Sequence, residues 1–283
     1  MRRLVVGIDP SDESRNALDW AVLQAGPDDQ VVAVHCWDLP VVAGYEAAIV
    51  VDPRDLQSAA AAFLDEFLAG AHDPRVVGTL AQGHTGKALV AAAADADMVV
   101  VGHRGSGKAS VILGSTANYV LHHTERPVVV VRGDRRCETR HVVVGVDDHG
   151  CEDGVHENES VRALRLAYRL RGVDRIDVMH AWFAPAMATG LYASAGADIE
   201  AMDRGAYDVI NHVMHAAGPL PDGVTVQQMP ERGTPGFALI EASRIADLVV
   251  VGSRGRGGFA ELLLGSTSLE LTSHSHGPVA VVR

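Results

Sequence analysis

Three observations predict an α/β fold built twice in this chain. Short β-branched runs at 4–8, 31–36, 98–101 and 128–131 alternate with alanine- and leucine-rich segments at 14–25, 54–69, 86–94 and 115–123, the βαβ signature of a parallel sheet. The pattern then recurs, because Val99-Val-Val-Gly-His-Arg-Gly-Ser-Gly107 returns as Val249-Val-Val-Gly-Ser-Arg-Gly-Arg-Gly257, an offset of 150. Such a period is far above the roughly 20–50 residues of solenoid units, so each copy is a whole domain. The expected architecture is two tandem Rossmann-like or flavodoxin-like domains, residues 1–136 and 137–283, divided in the polar stretch 133–140. Each is a five-stranded, mostly parallel sheet with helices on both faces.

The elements follow in order. The first strand runs into Val5-Val-Gly-Ile-Asp9, and Ser11 and Ser14 then stand where a helix N-cap is wanted. Ala17-Leu18-Asp19-Trp20-Ala21-Val22 gives helical apolar spacing, with Trp20 assigned to the core. After the second strand (31–36) and the helix at 54–69, residues 75–81 supply a weaker strand. The helix at 86–94, the strand at 98–101, the helix at 115–123 and the strand at 128–131 complete the copy.

The second copy repeats these landmarks with two changes. Leu113-Gly-Ser-Thr116 recurs as Leu264-Gly-Ser-Thr267, and Pro127-Val-Val-Val-Val-Arg132 as Pro278-Val-Ala-Val-Val-Arg283, both at offset 151, so the first copy lacks one residue between Gly107 and Leu113. Asp9 pairs with Asp147 at offset 138 and Ala17 with Ala163 at offset 146, which leaves eight extra residues just after Asp147.

In such sheets ligands settle beyond the strand carboxyl ends, at the switch point of the strand order, whether that order is 2-1-3-4-5 or 3-2-1-4-5. Two motifs lie there: Gly7-Ile8-Asp9 after the first strand and Gly102-His-Arg-Gly105 after the fourth, repeated as Gly145-Val146-Asp147 and Gly252-Ser-Arg-Gly255. Glycines at 102, 105 and 107 let backbone approach a ligand, and the helix openings at Gly114-Ser115-Thr116 and Gly265-Ser266-Thr267 offer free N–H groups, an anion cradle. The Asp carboxylate accepts from an adenine amino group or a ribose hydroxyl. Arg104, Lys108, Arg254 and Arg256 add local positive charge.

Gly252-x2-Gly255-x9-Gly265-Ser266 resembles the ATP-binding signature of universal stress proteins, and the resemblance extends over nearly the whole chain, through Val34-His35-Cys36-Trp37 and the closing strands. It implies that Asp9 and Cys36, then Asp147 and Ala181, hold adenine, while the glycine motif and its Gly-Ser/Thr hold ribose and phosphates. It also implies ATP with Mg2+ as ligand, an internal pseudo-dimer through the fifth strands, and a homodimer of two such chains. Two departures stand out: the spacer between Gly105 and Gly114 is eight rather than nine, and the insertion within 148–160 adjoins the second adenine pocket.

Composition narrows the alternatives. A net charge of −12 argues against nucleic acid and anionic membrane as partners, while local amides still suit a small anion. The apolar run after the first arginines stops at Asp9, too short for a signal peptide or a span, and the sparse odd set Cys36, Cys137 and Cys151 fits reduced thiols, so a cytoplasmic protein is expected. Gly102-x4-Gly107-Lys108 nearly matches a P-loop, but Ala109 replaces the magnesium-ligating Ser/Thr. His149, Cys151 and His156 carry donors without a recognised metal spacing. His122, His123, His274 and His276 fall near helix ends, where capping is expected and a pH-sensing role is the alternative. No base stands beside the cradle, so no catalytic residue is assigned and any ATP hydrolysis should be slow. The expected function is an ATP-binding regulatory module of the stress response that signals to a protein partner through ordering of loops 103–114 and 253–265. A slow ATP hydrolase and a nucleotide-free interaction protein with vestigial cradles are the alternatives.

Overall fold

The computed structural model describes residues 1–39, 52–105, 113–133, 138–147, 158–182, 199–255 and 264–283. The chain divides into two compact units, Met1–Arg136 and Cys137–Arg283.

The first unit runs β1 (Arg3–Ile8), α1 (Asp12–Gln24), β2 (Gln30–Trp37), α2 (Pro53–Ala69), β3 (Val76–Gln82), α3 (Thr85–Ala93), β4 (Met98–Gly102), α4 (Ser115–His123) and β5 (Val128–Val131). Its strands lie in the order β3-β2-β1-β4-β5, all pairs parallel. Of the two orders the sequence left open, the second is the one formed. The chain winds outward from β1 to β3, returns to β4 on the other side of β1, and so opens a crevice at the carboxyl ends of β1 and β4.

The second unit repeats this with β6 (His141–Gly145), α5 (Glu159–Arg169), β7 (Arg175–Trp182), α6 (Ile199–Ala217), β8 (Thr225–Arg232), α7 (Pro235–Ala242), β9 (Leu248–Gly252), α8 (Ser266–His274) and β10 (Val279–Val282). Its order is β8-β7-β6-β9-β10, again parallel throughout.

Central strands are valine runs because helices cover both sheet faces. Val5, Val6, Val99 and Val100 in one unit, and Val142, Val144, Val249 and Val250 in the other, have no exposed surface. Helix α1 packs Ala17, Leu18 and Ala21 on its sheet and α5 packs Ala163, Leu164 and Ala167, with Trp20 buried as expected. The weak strand signal at 75–81 has a cause in position: β3 lies at one end of its unit's strand order and is mostly half-exposed or exposed, so it does not need a continuous apolar run. Strand β8, its counterpart, even holds Pro230.

Helix starts set the site. Ser11 caps α1, its hydroxyl accepting from the Ser14 amide at 3.2 Å, and Asn158 caps α5 through the Val161 amide at 2.9 Å. The α4 and α8 N-caps are Gly114 and Gly265, with no side chain closing either end.

Candidate functional site

Asp9 leaves β1 and folds back on its own turn. Its Oδ1 accepts from the Ser11 amide at 3.1 Å and from the Ser11 hydroxyl, while the Ser14 hydroxyl donates to the Asp9 carbonyl at 2.5 Å. In the second unit Ser160 accepts from the Asp147 amide at 2.9 Å and donates to the Asp147 carbonyl at 3.1 Å. Ser14 and Ser160 align at the offset that pairs Ala17 with Ala163, so this duty was visible as a repeat.

The carboxylate then meets the glycine turn of the fourth strand. A β-carbon on Gly105 would collide with Asp9 Oδ2, and one on Gly255 would stand 2.5 Å from Asp147 Oδ2. A side chain there would have to push the carboxylate aside, so Asp and Gly share the same space in both units. Each motif glycine answers a different neighbour. Gly102 makes room for the start of α1, where a β-carbon would lie 2.9 Å from Glu13 Cβ, and Gly252 does so for Glu159 Cβ at 2.9 Å. Gly114 stacks on the turn: its amide donates to the His103 carbonyl at 2.9 Å, as Gly265 donates to Ser253 at 2.7 Å. The space these glycines leave is thus largely taken by the chain itself, and what reaches the crevice is backbone.

The assigned residues gather accordingly. Asp9, Arg104, Gly105 and Gly114 come together, with Ser115 and Thr116 opening α4 next to them, and Asp147, Arg254, Gly255 and Gly265 do the same, with Ser266 and Thr267 opening α8. Ile8 and Val146 contribute no side chain, since both are buried; their carbonyls accept from Nδ1 of His35 at 2.9 Å and of His180 at 2.8 Å. A carbonyl only accepts, so Nδ1 carries the proton in both rings. Gly7 and Gly145 yield space to Leu89 and Leu239, 3.0 and 2.9 Å from an added β-carbon. Cys36 and Ala181 follow these histidines, half-buried; burial pushes the Cys36 thiol's pKa up against a bond to Thr85.

Electrostatics separate the two crevices. His103, 2% exposed, accepts at Nε2 from the Arg132 guanidinium. Burial first, then the charges of Arg132 and Arg104, hold its pKa down at about 4, so the ring is neutral. The second unit has Ser253 at this place, and its hydroxyl donates to Glu159 at 3.0 and 3.1 Å. Neither Glu159 nor the His103–Arg132 pair was found from sequence, because their partners lie 94 and 29 residues away.

His122, His123 and His274 bond carbonyls four residues back in their own helices, at 2.7, 2.7 and 3.1 Å, rather than the carbonyls left open at the helix ends. Among the described residues no cluster of three or more His, Cys, Asp or Glu is poised to hold a metal, and no helix is long and apolar enough to cross a membrane. Gly107, Lys108, Ala109, Arg256, Cys137, Cys151, His149 and His156, with most of the insertion, lie outside the described residues.

Two doubly wound units, each with an Asp–Gly contact and a glycine-capped helix start at its switch point, define a duplicated Rossmann-like protein. The chain belongs to the Universal stress protein family, whose profile matches residues 1–132 and again 138–283. A universal stress protein of Mycolicibacterium smegmatis is 31% identical over 293 residues, covering 99% of this chain and 96% of the relative. One from Mycobacterium tuberculosis is 29% identical over 294 residues with the same coverage. A crystal structure of a universal stress protein from Archaeoglobus fulgidus superposes with a TM-score of 0.62 at 18% identity, over 99% of this chain and 96% of that one, which supports the fold.

Proposed function

We propose that each unit binds ATP together with Mg2+ across its first and fourth strands, and that the protein is a nucleotide-dependent regulatory module of the stress response in the cytoplasm. The observation that carries this reading is the pairing, in both units, of a glycine-capped helix start with an Asp-matched glycine turn. Helices α4 and α8 begin at Gly114 and Gly265, and among the described residues no side chain caps either start, so the positive end of each helix is open at the strand carboxyl ends. Their first-turn amides, with Arg104 and Arg254, would hold the phosphates. Asp9 and Asp147, with the backbone at Cys36 and Ala181, would hold the adenosine. The cation would neutralise part of the phosphate charge.

Module is favoured over enzyme by the histidine of the first unit's turn. His103 is neutral and already accepts from Arg132, so it is not free to activate water. Mass spectrometry of the gently purified full chain tests the reading: adenine nucleotide should travel with it. A chain that carries none and shows no calorimetric response to Mg–ATP would leave only a duplicated scaffold.

A further inference from the structure

We propose that Glu159 is a built-in competitor for the second cradle, so that an anionic nucleotide enters there only by displacing a carboxylate, and the first unit is the tighter site. This rests on the nucleotide reading above and adds which unit binds better, and why.

Glu159 is the first residue of α5, and the missing side chain of Gly252 leaves room for its Cβ and Oε2 against β9. From there its carboxylate turns onto the glycine turn. Oε2 accepts from the Arg254 backbone amide at 2.7 Å, both oxygens accept from the Ser253 hydroxyl, and Arg254 Nε lies 3.5 Å from Oε1. The Glu159 side chain is 15% exposed and that of Arg254 45%, so the carboxylate is shielded while the guanidinium stays open to solvent. A carboxylate oxygen on a loop amide and an arginine is the chemical equivalent of a phosphate oxygen there. The donor and the cation that a phosphate would use are therefore already engaged from within.

The first unit lacks this arrangement for an identifiable reason. Glu13 takes the place of Glu159, but His103 replaces Ser253, offers no hydroxyl, and is turned to Arg132. Among the described residues no hydrogen bond or ion pair joins Glu13 to the 103–105 turn. The ring sets no negative charge beside Arg104, whereas Glu159 sets one beside Arg254. Spacing alone favours the second copy, whose motif is complete; side-chain contacts reverse that order.

The test uses the full chain and Mg–ATP. In a Gly114→Leu background, where only the second unit reports, Glu159→Gln keeps size and an acceptor for Arg254 while removing the charge. Calorimetry should then show affinity higher by on the order of tenfold, as expected when one like charge leaves the neighbourhood of a triphosphate. In the otherwise unaltered chain the same change should tighten the weaker of two dissociation constants and leave the tighter one alone. Unchanged affinity overturns the proposal. So does weaker affinity, the result expected if the carboxylate instead holds the cation. Without nucleotide, the Arg254 amide should exchange with solvent several-fold faster in Glu159→Ala than in the parent, and equal rates would also overturn it. If neither unit binds Mg–ATP in any of these proteins, the nucleotide reading itself has failed. Binding that ignores Glu159→Gln sinks only the competitor.

Discussion

The two units share a backbone solution and differ in the side chains laid on it. Both use the same strand order, the same Asp–Gly contact and the same glycine-capped helix, because these follow from crowding where two strands end side by side. Beneath the turn they part: a buried neutral histidine against an arginine in the first unit, a buried serine against a glutamate in the second. Duplication therefore keeps what sterics demand and frees what only tunes charge.

The largest test of the shared frame lies in the cores. Leu18 and Leu164 are equivalent and fully buried, so Leu18→Ala and Leu164→Ala should each cost about 2–5 kcal/mol, read by denaturant unfolding. Clearly unequal costs would mean that the units do not pack alike.

Next comes the cradle itself. A leucine at Gly265 would press its β-carbon to 3.3 Å from the Ser253 carbonyl and cover the start of α8. Gly265→Leu should weaken Mg–ATP at the second unit by about a hundredfold, or about 2.7 kcal/mol, and leave the first unit's binding in place. Calorimetric stoichiometry would show one site lost, and unchanged stoichiometry and affinity would refute the site assignment.

The third test exploits the side-chain difference. His103 has its pKa lowered from 6.5 to about 4, so the unfolded chain binds the extra proton first as pH falls. The stability held by the neutral ring is complete above about pH 6.5 and is lost as pH falls toward about 4, amounting to about 2 kcal/mol. Denaturation at pH 7.5 and 4.5 should show this loss in the parent and lack it in His103→Ser. An identical pH dependence would mean that the ring is not buried as described.

The smallest effect tests the helix starts. Ser11→Ala and Asn158→Ala each remove one cap and should cost about 1 kcal/mol, measured the same way.

Much of this was legible in the chain. The duplication, the near bounds of the first copy's elements, and the glycine and aspartate positions could be read from local patterns and their recurrence. The reason for Gly105 could not, since it is the carboxylate of Asp9 across the crevice. Nor could the proton on His35 Nδ1, which the Ile8 carbonyl fixes from the next strand. Glu159 fell within the 148–160 insertion, with no local sign that Ser253 and Arg254 would receive it.

Local propensity and apolar period determined by themselves that this chain would make two parallel α/β units, because helix and strand periodicities are short-range properties. Which strand became β1's second neighbour, which side chain met which turn, and hence the different charge of the two cradles were decided only by folding. Such contacts join residues far apart in sequence, and their energies exist only once the sheet has set the distances.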